Sequence, residues 1–133
     1  MDGPQVMKHR LMSIAVALVM IVAAGTTLGY RKAYWTWWQT PHRIVYCDRT
    51  YLGGTTTHSR AEIEKLESRT ALPGDAPYPV VTVGKVPPIL GQPLLAAVTP
   101  EATRRKLGLP CAMGVYLKTG ADTYTSYDLS GGP

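Results

Sequence analysis

The chain has no phenylalanine, only two cysteines among 133 residues, three histidines and few charges, at 17% Asp, Glu, Lys and Arg. Each scarcity removes a class of function. Two cysteines cannot build a thiolate metal cluster, and His42 and His58 stand in no ligand spacing. The chain contains no G-x-S-x-G elbow, P-loop, dinucleotide fingerprint or H-E-x-x-H helix, so it is read as a non-enzyme that needs no cofactor or metal. Without Phe, the eight Tyr supply most of the aromatic area. Buried Tyr hydroxyls need partners, so this composition suggests half-exposed aromatic surfaces.

The most telling absence is local. Leu11 to Leu28 contains no charged residue over 18 positions. As a helix it would be about 27 Å long at roughly 1.5 Å per residue, the short end of what crosses a hydrocarbon core of about 30 Å. Ser13, Thr26 and Thr27 return their hydroxyls to a helical backbone and do not forbid lipid burial. Lys8 and Arg10 precede the run. Tyr30, Arg31, Lys32, Tyr34, Trp35, Trp37 and Trp38 follow it and read as an interfacial belt, because Trp and Tyr rings prefer the headgroup level. The organisation read from this is a basic tail over 1–10, a transmembrane signal anchor over 11–29, an aromatic and basic juxtamembrane segment over 30–40, and a small domain over 41–133.

A cleaved signal peptide competes with the anchor. The basic start, the apolar stretch to Val22 and Val22-Ala23-Ala24 satisfy its three requirements. The anchor is favoured because apolar character continues to Leu28 and the Trp cluster follows at interface distance. The flanking charges give little orientation bias. The cysteines favour an inside N-terminus with the domain outside.

The net charge is +5. From Pro41 onward ten Lys/Arg face eight Asp/Glu, so the excess sits beside the apolar run, where anionic lipid attracts it. This speaks for a bilayer partner and against nucleic acid. The dense cluster Arg104-Arg105-Lys106 reads as a solvated helix C-terminus. Cys47 and Cys111 read as one disulfide in an exported domain too small to be comfortable without help; two buried thiols or a thiol enzyme are the alternatives.

Within the domain, Arg43 to Cys47 suits a strand, and Gly53-Gly54-Thr55-Thr56-Thr57 reads as a polar loop breaking it. That loop has a weaker reading as an anion-binding turn. Ser59 and Glu62 form a capping box, opening a helix over 60–70 that Pro73-Gly74 stops. Val80 to Val86 is a strand ended by Pro87-Pro88. Leu94 to Val98 is a short strand. Thr99-Pro100-Glu101 starts a second helix, with Thr99 as cap and Gly108 closing it. Met113–Lys118 and Asp122–Leu129 form a hairpin, with Met113, Val115 and Leu117 on one face and Tyr127 and Leu129 on its counterpart. The expected fold is α+β: an N-terminal transmembrane helix, then a mostly antiparallel sheet of four or five short strands and two short helices.

Asp48 with Glu62 or Glu64 is a weak acid–base pair, and His42 an interfacial histidine. Tyr116, Tyr124 and Tyr127 offer a possible partner surface, because Tyr is enriched at interfaces. The leading expectation is a membrane-anchored binding or assembly domain, an accessory subunit or envelope partner. The alternatives are a secreted ligand-binding or inhibitor-like module released near Ala24, and a small envelope thiol enzyme.

Overall fold

The computed structural model of the chain describes residues 3–34, 40–70, 73–74 and 76–131. The chain divides into two units, Met1–Gln39 and Thr40–Pro133. Among its described residues the first holds one helix, α1 (Pro4–Tyr34), 31 residues long. It extends past the charge-free run at both ends because Pro4 is tolerated in a first helical turn and no breaker follows until Pro41. The hydroxyls of Ser13, Thr26 and Thr27 donate to the carbonyls four residues earlier, at His9, Val22 and Ala23 (2.9, 2.7 and 2.8 Å). α1 is long and apolar enough to cross a membrane, and none of its apolar window is buried within the structure.

Among the described residues, the second unit is one antiparallel sheet of six strands, one more than the upper expectation. The strands are β1 (Arg43–Tyr46), β2 (Arg49–His58), β3 (Val80–Val86), β4 (Gln92–Ala97), β5 (Gly114–Gly120) and β6 (Thr123–Leu129), in spatial order β1-β2-β6-β5-β4-β3. Two short helices interrupt them, α2 (Arg60–Thr70) and α3 (Glu101–Leu107).

The extra strand is β2, which runs straight through the Gly-Gly-Thr stretch expected to be a loop. The glycines mark a bulge rather than a break. The β2–β6 register shifts between Gly53 and Thr57. A β-carbon at Gly53 would strike the Ser126 carbonyl, and Gly54 sits at φ +98, a conformation glycine adopts without steric cost. The Gly53 N–H donates to the His42 carbonyl and is not held open for an anion. Cys47 and Asp48 form the β1–β2 turn, both at positive φ (52 and 58), as a two-residue hairpin of this hand requires.

Alternation along the strands gives the sheet two buried faces. On one, Ile44, Tyr51, Leu94, Ala96, Ala112, Val115, Leu117 and Tyr127 form a continuous core. On the other, Val80, Leu95, Ala97, Tyr116 and Tyr124 receive Ile63 of α2, which is wholly buried. The Tyr-for-Phe substitution is resolved by hydrogen bonding. Tyr51 donates to the Ala112 carbonyl and Tyr127 to the Pro41 carbonyl, both at 2.7 Å. The expected half-exposed aromatic surface is therefore corrected: Tyr51, Tyr116, Tyr124 and Tyr127 are all core residues.

Cys47 and Cys111 are disulfide-bonded, with Cα atoms 6.3 Å apart across 64 positions of sequence. The bridge joins the β1–β2 turn to the segment leading into β5. α3 also departs from expectation at its start. Pro100 occupies the N-cap without a side-chain bond, while Thr99 is buried and its N–H donates to the Cys111 carbonyl at 2.8 Å. Thr99 is thus drawn into the sheet side of the junction and does not cap. Gly108 closes the helix as expected, at φ 65, its N–H on the Arg104 carbonyl.

Candidate functional site

A concavity lies beside α2. The capping box forms as the sequence implies: the Ser59 N–H donates to Glu62 Oε2 (2.7 Å) and the Glu62 N–H to Ser59 Oγ (3.3 Å). The Ser59 backbone donor, then its side chain, hold the Glu62 carboxyl below its usual range. The helix is pinned further along its first turn. The Arg60 N–H donates to Asp122 in the β5–β6 turn (3.0 Å), and its guanidinium to the Val80 carbonyl (2.8 Å) and to Glu64 (2.9 Å). With Ile63 sunk into the sheet, the second half of α2 overhangs the strands.

Under that overhang is a cavity of about 420 Å³, walled by Leu66, Glu67 and Thr70 and by Thr56, His58, Met113, Tyr116 and Asp128 from the sheet side. A second hollow of about 210 Å³ shares Glu67, Thr70 and Met113 and adds Tyr78, Ala97, Thr99 and Leu109. Together they form a cleft with an acidic, aromatic part and an apolar part.

The polar part is organised by one bond. Tyr116 donates its hydroxyl to Glu67 Oε1 at 2.6 Å. Burial, and then the bond and charge of Glu67, push the phenol well above its ordinary value, so it stays a neutral donor. The Thr70 hydroxyl reaches the other Glu67 oxygen at 3.3 Å. His58 meets the Tyr116 ring edge-on, with centroids 6.4 Å apart. Asp128 is exposed at the cleft wall. Met113, expected on the hydrophobic strand face, instead precedes β5 and is 59% exposed beside the cleft.

The other sequence candidates are scattered. No protein-family model matches the chain, and neither a curated protein nor a solved structure is similar to it. Tyr116 and Tyr124 share the α2 face of the sheet, whereas Tyr127 faces the opposite core. At 8, 9 and 0% exposure they present no joint partner surface. Of these three, Tyr116 is the one that lines the cleft. Cys47 is exposed in its turn and Cys111 buried, and the bridge leaves neither as a free thiol. Asp48 lies in the β1–β2 turn, away from Glu62 and Glu64, which cap α2 and pair with Arg60. Arg105 pairs with Glu101 and the Arg104 guanidinium donates to Cys111 Sγ at 2.9 Å, so the basic cluster is part of α3 and its junction.

Arg31 and Lys32 lie in the last turn of α1 and are exposed, and Tyr30 just before them is half-buried. Of Tyr34 the backbone alone is described, and Trp35, Trp37 and Trp38 lie outside the described residues. Among the described residues, no group of three His, Cys, Asp or Glu side chains converges to hold a metal ion. Sequence reading missed Glu67, Asp128 and Met113 as cleft residues. Glu67 is 49 positions from Tyr116, and only the tertiary fold reveals that pairing.

Proposed function

We propose that the protein is a single-pass membrane protein whose C-terminal domain stands outside the cytoplasm and serves binding or assembly. The observation that carries the reading is α1. Leu11, Ile14, Leu18, Ile21 and Leu28 are each more than half exposed. Leaving such side chains in water forfeits about 1.5–3 kcal/mol apiece, and a bilayer removes that cost. The Cys47–Cys111 disulfide suits an oxidising compartment, which favours the inside-to-outside orientation.

The cleft under α2 supports binding as the domain's role. It offers Glu67 and Asp128 together with apolar walls, a combination suited to a cationic group borne on an apolar body, such as a Lys or Arg side chain of a membrane-protein or envelope partner. Anchoring raises the effective concentration of such a partner, so a weak contact suffices. The disulfide ties up both sulfurs, which weighs against the thiol-enzyme alternative.

The test is protease protection in intact cells. The account expects externally added protease to remove the domain while leaving the α1 fragment in the membrane. Digestion only after lysis would overturn the orientation. A purification in mild detergent tests the role: co-purification of a partner that is lost in Glu67→Lys is the expected result, and unchanged capture would remove the cleft from the account.

A further inference from the structure

The two ends of the Cys47–Cys111 bridge sit in unlike surroundings. Cys47 is exposed in the β1–β2 turn, whereas Cys111 is 6% exposed in the segment between α3 and β5. Asp48 and Arg49 follow Cys47, both exposed and of opposite charge. Cys111 instead has a guanidinium against its sulfur: Arg104 Nη1 donates to Cys111 Sγ at 2.9 Å.

The closed bridge makes poor use of that cation. A disulfide sulfur is neutral, and sulfur is a weak acceptor. Arg104 is half-buried, its Nε is buried with no hydrogen-bond partner, and among the described residues no carboxylate pairs with it. A cation drawn out of water costs free energy unless an anion faces it. The residue is nevertheless held in place, because its carbonyl accepts from the Gly108 and Leu109 N–H groups that close α3.

The anion that fits is the Cys111 thiolate. A guanidinium hydrogen bond to it is charge-assisted and roughly twice as strong as a neutral one, and a neighbouring Arg is one of the settings that favour a thiolate over a thiol. In thiol–disulfide exchange the better leaving group is the sulfur whose thiolate is the more stable. Arg104 gives that role to Cys111, and exposure gives Cys47 the incoming nucleophile.

We propose that the Cys47–Cys111 bridge is a thiol-exchange site that opens at Cys47. An external thiolate attacks Cys47 Sγ and forms a mixed disulfide there. The S–S bond breaks, and its electron pair leaves with Cys111 Sγ as a thiolate held by the Arg104 guanidinium. With a monothiol no net oxidation occurs, and the Cys111 thiolate can reverse the step. With a dithiol, its second thiolate attacks its own sulfur in the mixed disulfide, so the dithiol is oxidised and Cys47 leaves as a thiolate. Opening unties the β1–β2 turn from the segment that carries Leu109 and Met113 of the cleft wall. The step itself needs neither the anchor nor an occupied cleft.

The test uses the full-length oxidised protein in mild detergent, with reduced glutathione as the probe thiol at mildly alkaline pH. Timed samples are quenched in acid, digested with pepsin and mapped by mass. The expected early product carries glutathione on Cys47 and a free thiol on Cys111. An early adduct on Cys111, an equal split, or opening only in denaturant that unfolds the domain would overturn the exchange site. Arg104→Met should slow opening roughly three- to tenfold. Loss of a mere packing contact would loosen the junction and speed opening, so an equal or faster rate would overturn the part given to Arg104. A second readout does not depend on that variant's fold. In Cys47→Ser, the ultraviolet absorbance of the Cys111 thiolate should reach half-height below the ordinary thiol value of about 8.5, and a midpoint at or above it would contradict the pairing.

Discussion

Reducing the Cys47–Cys111 bridge removes a crosslink across 64 positions of sequence. In the chain-entropy account a closed loop of that size stabilises the folded state by about 4 kcal/mol. A domain of this length is stable by roughly 5–15 kcal/mol in all, so the loss is a large fraction of the total. Each kcal/mol moves the melting midpoint of such a domain by about 4–8 °C, giving an expected fall of roughly 15–30 °C. Cys47 is exposed, so reductant reaches the bond, while Cys111 is buried and its carbonyl accepts from Thr99. Breakage should therefore loosen the β1–β2 turn from the α3–β5 junction before the core opens. The assay is thermal unfolding of the full chain in detergent, followed by near-ultraviolet circular dichroism, with and without reductant and for Cys47→Ser. Midpoints within a few degrees in all three samples would refute the bridge as a main support of the fold.

Other perturbations probe the site. Ile63→Ala removes the wholly buried residue that seats α2 and should destabilise the domain by about 3 kcal/mol in a denaturant titration. Tyr116 has a folded-state value raised above its ordinary 10.0, so its contribution is fully present below pH 10 and lost as pH climbs through the raised value. Stability should then fall more steeply above pH 10 in the native protein than in Tyr116→Phe, and parallel curves would contradict this. Glu62, lowered by its Ser59 bonds, contributes above its unfolded value and loses that contribution as pH drops through the lower folded one. Glu62→Gln should flatten the acid limb below about pH 4.5, measured by helix signal.

Much of the fold is legible in local chemistry. Ser59 and Glu62 announce α2, Gly108 ends α3, and the β-branched run from Val80 stops where Pro87-Pro88 can no longer donate to a ladder. These features act over three or four residues, the range a sequence displays directly. The misreadings share a cause: the residue answers to a distant neighbour. Gly53 and Gly54 look like a loop, yet Gly53 is there because β6 passes too close for a side chain, and Gly54 because the bulge needs a positive φ beside the Pro41 carbonyl. Thr99 looks like a cap, yet its backbone answers to Cys111. Tyr124 and Tyr127 are three residues apart on one strand, and that odd spacing already implies opposite faces. Treating them as one surface overlooked a signal that was present. The cleft was invisible because Tyr116 finds Glu67 only after α2 has folded back across the sheet.

The central claim is that α1 is solvated by lipid. Washing cell membranes at alkaline pH and then extracting them with detergent tests it most directly. The account predicts that the full-length chain stays in the washed membranes and appears in solution only with detergent. Recovery of the full-length chain in the aqueous supernatant would contradict it.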